Sequence, residues 1–364
     1  MVLALVGLFA AVSVVAAATT LGNANFTAKW ADWLRAHHAG IVVNPLERWY
    51  YSSQAPPPGS KPQALNAIPG TSGVHVAARH LPTHLPPPAA VPLVVSPSLP
   101  DEGQWQPTGP LIAGHPAMYI AQYRADTTYT SQITTAVWID PTVLRLRLIP
   151  GAQEPGGTWN RSPDLTGATA DRAIAAFNGG FRFQDAQGGF YLDGRTGVAL
   201  RPGAASVVID KNGHVNIGAW GSEVTMTPNV RAVLQNLVPL VDGGRIAPDA
   251  TYHDSHLWGA TLGSGTVVAR SGIGVTATGA AIYVAGPALT AKTLAEALQR
   301  AGAIRAMTLD INPEWVTFNI YSHPNPADHD QIDATKLYPQ MQRPASRYLG
   351  PTPESRDFFS VSTG

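Results

Sequence analysis

The chain has 364 residues, no cysteine, and equal numbers of basic and acidic side chains, 24 of each. The absence of cysteine excludes a disulfide scaffold, a cysteine-ligated zinc site, an iron–sulfur protein and a thiol nucleophile. A formal net charge of zero provides no basic footprint for nucleic acid. The 35 glycines and 32 prolines predict many turns and short strands, together with a proline-rich connector.

The first 24 residues indicate a membrane segment. No charged residue occurs between Val2 and Leu21, and the first charge is Lys29. Twenty apolar or small residues in a helix span about 30 Å, the thickness of the hydrocarbon layer. We expect residues 1–24 to be an uncleaved anchor, and a signal cleaved near residues 16–18 is the alternative. The main domain is then expected on the extracytoplasmic side of the cell membrane, or secreted if the segment is cleaved.

Two segments are expected between this anchor and the main domain. Residues 25–53 are predicted to be a juxtamembrane amphipathic segment, since Trp30, Trp33 and Leu34 share one helical face. Either these aromatic residues mark the membrane interface, or the short helix docks on the main domain. Residues 54–110 contain 14 of the 32 prolines and are predicted to be an extended linker.

The main domain is predicted at 111–355, followed by a tail at 356–364. Its sequence is typical of an α+β domain with a mixed, mostly antiparallel sheet and few helices. Segments rich in β-branched and aromatic residues predict strands at 118–123, 136–139, 143–149, 173–177, 198–200, 206–210, 215–217, 267–270, 280–285 and 306–310. The clearest helix is 291–301, with a capping box from Thr293 to Glu296 and Gly302 as its stop signal.

Polar residues beside glycines, at strand ends, are the candidate functional residues. Asn178, Gly179 and Gly180 follow one strand, and such a turn can present backbone amides to an anion. Arg270 and Ser271 lie at the end of another strand, where an arginine suits bidentate binding of phosphate or carboxylate. An ordinary glycine turn and a structural surface arginine are the alternatives.

The third candidate group begins with Asp310, which follows an apolar strand and a capped helix. This is a common position for a catalytic or ligand-binding carboxylate, although an aspartate that caps a turn is the alternative. Asn312 and Glu314 follow closely in the sequence.

Histidines near acidic residues are a fourth candidate group. His253, Asp254 and His256 lie close together, and His323 precedes an acidic and histidine run at 328–330. Such residues can bind a divalent metal or transfer protons. Neither spacing is diagnostic, and solvated loop histidines are the expected interpretation, so no metal or other cofactor is predicted.

In order and spacing, these segments resemble the phosphodiester glycosidase family. The family shows an N-G-G-F-F-like turn, an R-S/T-A-I-G-like segment, and a helix that leads to L-D-G-G-G-S. The resembling segments are AFNGGF at 176–181, ARSGIGV at 269–275, LAEAL at 294–298 and GAIRAMTLD at 302–310. The chain departs from the pattern where Ile311, Asn312, Pro313 and Glu314 stand in place of the glycines, and Gly272 stands where alanine is usual.

The resemblance implies hydrolysis of the bond between the anomeric carbon of a sugar and a phosphodiester, through an oxocarbenium-like transition state. Asp310 would be the nucleophile or base, and Glu314 a second carboxylate. The implied catalytic residues are Asp310, Glu314 and Asn178, and the implied substrate or phosphate residues are Gly179, Gly180, Arg270, Ser271 and Asn312. Together with the predicted membrane anchor, this implies a cell-wall glycan or sugar-phosphate of a bacterial envelope as the substrate.

Two other functions stay open. The altered loop after Asp310 also fits a non-catalytic protein that binds a glycan or sugar-phosphate on the same fold. A metal-dependent hydrolase that uses His253, His256 and Asp310 is the other alternative.

Overall fold

A computed structural model describes residues 2–20, 26–39, 57–62, 64–76, 83–251, 255–259, 267–324 and 331–363. The helices are α1 (Val2–Thr19), α2 (Phe26–Ala36), α3 (Ala168–Asp171), α4 (Phe183–Ala186), α5 (Ser255–Trp258) and α6 (Ala291–Arg300), with a 3-10 turn at Pro248–Thr251. The strands are β1 (Thr71–Val76), β2 (Gln106–Ile112), β3 (His115–Tyr123), β4 (Thr134–Ile139), β5 (Leu144–Ile149), β6 (Ala173–Asn178), β7 (Phe190–Leu192), β8 (Arg195–Val198), β9 (Ala205–Asp210), β10 (Val215–Ala219), β11 (Val230–Gln235), β12 (Pro239–Asp242), β13 (Arg245–Ile246), β14 (Val268–Thr276), β15 (Ala281–Leu289), β16 (Ala303–Thr308), β17 (Phe318–Ser322), β18 (Asp333–Lys336) and β19 (Phe358–Thr363).

These strands form three sheets. The largest has nine strands in the order β1-β2-β3-β4-β15-β14-β16-β12-β13. The second has the order β10-β9-β11-β7-β8, and the third has the order β18-β17-β6-β19-β5. β1 and β2 pair in parallel, whereas the central pairs β14–β15, β14–β16 and β6–β19 are antiparallel. The prediction of a mostly antiparallel α+β domain with few helices is confirmed.

One apolar core lies between the three sheets. Each sheet contributes buried side chains to it, such as Met118 from the first, Val207 from the second and Phe177 from the third. Helix α6 covers the opposite face of the nine-stranded sheet and buries Leu294 and Leu298 there. Full burial of one such side chain stabilises the fold by about 1.5–3 kcal/mol. Because such side chains pack on both faces of the nine-stranded sheet, both faces contribute to its stability.

Helix α6 begins at Ala291 as predicted, but its cap differs from the prediction. The Thr290 hydroxyl accepts a hydrogen bond from the Thr293 amide at 3.0 Å, and the Thr293 hydroxyl accepts one from the Thr290 amide at 2.9 Å. The predicted box from Thr293 to Glu296 is therefore wrong by one turn, because Thr293 already lies inside the helix. Gly302, with φ of 102°, follows the helix as its predicted stop signal.

Helices α1 and α2 pack against each other. The indole N–H of Trp30 donates to the Ser13 hydroxyl at 2.9 Å, and the rings of Phe9 and Trp33 lie 5.5 Å apart. In the part of the chain that the structure describes, no helix combines the length and the apolar character needed to cross a membrane.

Part of the predicted linker at 54–110 belongs to the main domain instead. It contains β1 and the beginning of β2, which are hydrogen-bonded members of the largest sheet. The Leu85 amide donates to the Asp140 carboxylate at 2.9 Å, and Glu102 forms a buried ion pair with Arg124 at 2.7 Å. Prolines lack an amide donor, but their neighbours in this segment find partners on the domain and fix it there.

The predicted tail at 356–364 is also wrong. Strand β19 lies between β5 and β6 in the third sheet. Phe358, Phe359 and Val361 have no solvent-exposed surface. Successive side chains of a strand point to opposite faces, and both faces of this sheet are covered, so residues 358–362 form a buried strand.

Candidate active site

The candidate residues meet at one edge of the sheets. Strand β6 ends at Asn178, β14 passes through Ser271 near its start, and β16 ends two residues before Asp310. Strand β19 begins directly after Asp357. Antiparallel neighbours place the end of one strand beside the start of the next, and the structure therefore brings these residues together.

Asp310 is buried, and its carboxylate is held by three donors. Oδ1 accepts hydrogen bonds from the amides of Ile311 at 2.8 Å and Asn312 at 2.9 Å. Oδ2 accepts one from the Arg356 guanidinium at 2.9 Å. Burial raises the pKa of Asp310, whereas Arg356 and the two amides oppose that change. A carboxylate has about four acceptor positions, so these three donors leave room for a substrate or water.

Asn178 and Ser271 fix the backbone around Asp310. The Ser271 amide donates to the Asp310 carbonyl at 2.8 Å, and the Asp310 amide donates to the Ser271 hydroxyl at 3.2 Å. The side-chain amide of Asn178 donates to the Ser271 hydroxyl at 3.1 Å and to the Gly179 carbonyl at 2.9 Å. Its oxygen accepts from the Tyr283 hydroxyl at 3.0 Å. Both amide hydrogens of Asn178 are thus used inside the protein, and its catalytic role stays a prediction.

Gly179 and Gly180 occupy a crowded turn, and at Gly179 a larger residue does not fit. A Cβ atom at Gly179 would overlap the carboxyl group of Asp357, and one at Gly180 would lie 3.3 Å from the side chain of Asn236. The Gly180 carbonyl accepts a hydrogen bond from Arg356. The turn therefore lies between Asp357 and the arginine that holds Asp310.

Arg270 faces away from Ser271. Side chains alternate along β14, so Arg270 shares its face with Gly272, which packs against α6. The Arg270 guanidinium donates to the Leu289 carbonyl at 2.9 Å and to the Trp258 carbonyl at 3.4 Å. Burial lowers its pKa to about 10, which leaves the group charged at neutral pH. These contacts lie on the α6 face of the sheet, and the predicted binding of phosphate by Arg270 stays a prediction.

The residues that stand in place of the family's glycines form a packed turn. Ile311 is buried in a small apolar cluster with Phe181. The side-chain oxygen of Asn312 accepts from the Glu314 amide at 2.9 Å, and the Glu314 carboxylate lies 3.1 Å from Nε of Arg343. Ile311 thus places apolar surface next to Asp310. The Glu314 carboxylate forms an ion pair with Arg343.

Three residues that the sequence analysis missed complete the site, namely Trp315, Arg356 and Asp357. The Arg356 guanidinium lies 4.3 Å from the centre of the Trp315 ring while it binds Asp310. Asp357 is buried, and neither of its carboxyl oxygens has a hydrogen-bond partner among the described residues. The apolar run from Phe358 onward predicts a strand. Arg356 and Asp357 would then have been recognised as polar residues at the start of that strand.

The pKa of Asp357 is strongly perturbed. Burial raises it to about 7, Arg356 opposes the change, and the carboxylates of Glu154 and Asp310 add to it. Burial also raises the pKa of Glu154, whose carboxylate accepts from the Phe183 amide at 3.3 Å. Perturbed carboxyl groups that share an arginine are typical of catalytic sites.

His323 lies apart from this arrangement, and the side chains of the other histidine candidates are outside what the structure describes. His253, Asp254 and residues 328–330 are not among those that the structure describes. Nε2 of His323 lies 2.8 Å from the Ala173 carbonyl. Within the described ranges, no group of three His, Cys, Asp or Glu side chains could hold a metal ion.

Residues 171–310 match the model of the phosphodiester glycosidase family. The resemblance that the sequence predicts is therefore confirmed over this part of the chain, and the class of the domain is that of a hydrolase. The matched stretch contains Asn178, Arg270 and Asp310, and it ends before Arg356 and Asp357. No curated protein matches the chain.

Three solved structures are similar to this chain at low identity. The catalytic domain of zebrafish N-acetylglucosamine-1-phosphodiester alpha-N-acetylglucosaminidase, auto-inhibited by its pro-peptide, is 17% identical with a TM-score of 0.41, over 68% of this chain and 82% of that one. A hypothetical protein from Synechocystis is 15% identical with a TM-score of 0.38, over 70% and 63%. A protein from Burkholderia pseudomallei is 12% identical with a TM-score of 0.35, over 64% of this chain and 74% of that one.

Proposed function

We propose that this protein hydrolyses the glycosidic bond between the anomeric carbon of a sugar and a phosphodiester. The observation that carries the proposal is the buried Asp310 carboxylate, which Arg356 and two backbone amides hold at the end of the stretch that matches the family. Positive charge develops at the anomeric carbon in the transition state. A fixed carboxylate in a site shielded from water stabilises such charge strongly, because no reorganisation is needed.

The proposed roles of Asn178 and Ser271 follow from their contacts, whereas those of the phosphate and sugar residues follow from the family resemblance. Asp310 acts as nucleophile or base, and Asn178 and Ser271 position its backbone. Gly179, Gly180, Arg270 and Asn312 are proposed to bind the phosphate or the sugar, as the family resemblance implies. Glu314 is the weaker candidate for a second carboxylate, because its carboxylate lies 3.1 Å from Arg343.

The location and the substrate polymer are a further part of this proposal. We place the enzyme outside the cytoplasm of a bacterium, tethered by the apolar segment at 1–24 or secreted if that segment is cleaved. The substrate would be an envelope glycopolymer that contains sugar-1-phosphodiester bonds. The support is the absence of charge from Val2 to Leu21 together with the hydrolase class. Cell fractionation tests the location, and recovery in the cytosolic fraction would contradict it.

A non-catalytic binding protein is the second candidate. It is favoured by one observation, the burial of Ile311 where the family has a glycine. Glycines there would let a ligand approach the backbone closely, and Ile311 with Pro313 does not reproduce that.

Turnover and binding by the Asp310→Asn variant decide between the two. Asparagine keeps an oxygen that accepts from the Ile311 and Asn312 amides, so the fold is expected to persist. With a fluorogenic N-acetylglucosamine-1-phosphodiester, we expect wild type to release free sugar and the variant to lose about 10³-fold in kcat, while calorimetry still detects binding. The matched control is Asp333→Asn, on the exposed edge strand β18, and it should turn over normally. If wild type, Asp310→Asn and Asp333→Asn all bind the phosphodiester and none of them turns it over, the binding protein is favoured.

A further inference from the structure

Asp357 is a second buried carboxyl group at the same turn as Asp310. The proposed roles of Asp310, Asn178 and Ser271 do not involve it. Its carboxyl group lies against Gly179, closely enough that only a glycine fits there. The neighbouring residue, Arg356, contacts both the Asp310 carboxylate and the Gly180 carbonyl. The two acidic groups therefore flank the Gly179–Gly180 turn.

The surroundings of Asp357 do not explain it as a structural residue. Its exposed fraction is 4%, and neither carboxyl oxygen has a hydrogen-bond partner among the described residues. Leaving a buried polar group without a partner is costly, and such groups are rare unless they serve a function. Nearby Asp310, by contrast, has three donors. A carboxyl group in this state is suited to a partner that the substrate supplies.

We propose that Asp357 donates the proton to the leaving phosphate oxygen, an inference that rests on the proposed glycosidase function. A neutral carboxyl group donates a hydrogen bond to an anionic phosphate oxygen, whereas an ionised one would repel it. The charged groups that face Asp357 are Arg356 from its own segment, Glu154 from the loop after β5, and Asp310 from the end of β16. The two carboxylates favour the protonated form of Asp357, and Arg356 opposes it.

The proposed step balances with one water molecule. The bond between the anomeric carbon and the bridging oxygen breaks, and its electron pair goes to that oxygen. The Asp357 proton moves to the phosphate monoester that is formed. Water adds its hydroxyl group to the sugar and its proton to Asp310, and exchange with solvent restores both carboxyl groups to their starting states.

The test compares the full chain with its Asp357→Asn variant, using a fluorogenic N-acetylglucosamine-1-phosphodiester across the pH range. The wild-type kcat should fall on a descending limb as Asp357 loses its proton. Asparagine has the same shape and no transferable proton, so kcat should drop about 100-fold and the descending limb should disappear. Thermal melting at each pH checks that the variant is folded.

A second variant, Glu154→Gln, keeps the proposal testable if Asp357→Asn does not fold. Removing the Glu154 charge removes one cause of the raised pKa of Asp357, so the descending limb should move to lower pH. A purely structural role for either residue would not move this limb. A descending limb that Glu154→Gln leaves in place, or an unchanged kcat in a folded Asp357→Asn variant, would overturn the proposal.

Different results would contradict the role of Asp357 and the glycosidase function. Turnover by wild type that requires Asp310 but ignores Asp357 contradicts only the role of Asp357. Binding without turnover by wild type contradicts the glycosidase function itself and, with it, the proton transfer.

Discussion

Arg356 connects the parts of the site at the level of single residues. Its guanidinium binds Asp310 at 2.9 Å, donates to the Gly180 carbonyl and lies 4.3 Å from the centre of the Trp315 ring. Burial alone would raise the pKa of Asp310 and keep a proton on it. The arginine opposes this rise, and so favours the ionised form that a nucleophile or base requires.

Replacing Arg356 should therefore change the pH dependence of catalysis. In Arg356→Met the pKa of Asp310 should rise, and the ascending limb of kcat/KM should move to higher pH by about one unit or more. Arg356→Lys keeps the charge and should shift the limb less. A pH–rate profile of the three proteins measures this. An ascending limb in the same place in all three would show that Asp310 is not the group that must ionise.

Asp357 should make the stability of the fold depend on pH. Its pKa is about 7 when folded and its ordinary value is 3.8, so the folded state binds the proton more tightly. The stability from this proton is fully present below the ordinary value and is lost as pH rises toward and through 7, by up to about 1.4 kcal/mol per pH unit. Urea unfolding should show that decrease in wild type and a weaker one in Asp357→Asn. A wild-type-to-variant difference that is constant from pH 4 to 8 would contradict it.

The sequence predicts the parts of the site that have a local pattern. Asn178, Ser271 and Asp310 each lie at the end of a recognisable strand, and the family resemblance groups them. Arg356 and Asp357 precede only a short apolar run, outside the segments that resemble the family, and they follow Asp310 by more than 40 residues. Their place in the site depends on the pairing of β19 with β6, which is a non-local contact that periodicity does not reveal.

At the level of secondary-structure elements, the segment after Asp310 is held by a buried ion pair. Nε of Arg347 lies 2.6 Å from the Glu354 carboxylate, and both side chains are almost fully buried. The Arg347 guanidinium also lies 4.7 Å from the centre of the Trp315 ring. The loop after Asp310 is thereby joined to the segment that carries Arg356.

Breaking this pair should cost much more stability than breaking an exposed pair. Arg347→Met leaves Glu354 buried without its cation, which we expect to lower the free energy of unfolding by about 3–5 kcal/mol. Lys292→Met removes the partner of Glu296 on the surface of α6 and should cost less than about 0.5 kcal/mol. Urea titrations measure both. Equal losses in the two variants would mean that the buried pair does not hold this segment.

The sequence predicts secondary-structure elements correctly where the alternation of apolar and polar residues is strong. The Leu-Arg-Leu-Arg-Leu run of β5 alternates buried leucines with more exposed arginines, as an alternating pattern predicts. The cap of α6 is missed because two threonines, Thr290 and Thr293, both suit a capping position. Choosing between them requires the backbone conformation at the helix start, which the sequence pattern alone does not fix.

At the level of the whole molecule, strand β19 takes an inner position in the third sheet. Strand β19 pairs with β5 on one side and with β6 on the other. A chain that stops at residue 355 would lose these hydrogen bonds and the burial of Phe358 and Phe359. We expect such a chain to be unfolded or insoluble. A chain that starts at residue 57 and keeps β19 should fold, because the three sheets are retained.

Circular dichroism and thermal melting of the two truncated chains test this expectation. A cooperative melt for the chain that ends at 355 would show that β19 is dispensable. The burial of β19 is not predictable from its sequence, because Phe-Phe-Ser-Val-Ser is a short run. Its burial depends on pairing with strands from two distant segments. For the same reason, the proline content of residues 54–110 predicts a spacer, although β1 and β2 lie there.

Hydrolysis in ¹⁸O-labelled water distinguishes cleavage of the glycosidic bond from attack at phosphorus. Wild type and Asp310→Asn would each be incubated with an N-acetylglucosamine-1-phosphodiester, and mass spectrometry would locate the label. Cleavage of the glycosidic bond places ¹⁸O on the anomeric carbon of the free sugar, and only wild type should produce it. Label in the phosphate product would show attack at phosphorus, and equal labelled sugar from Asp310→Asn would remove Asp310 from the mechanism.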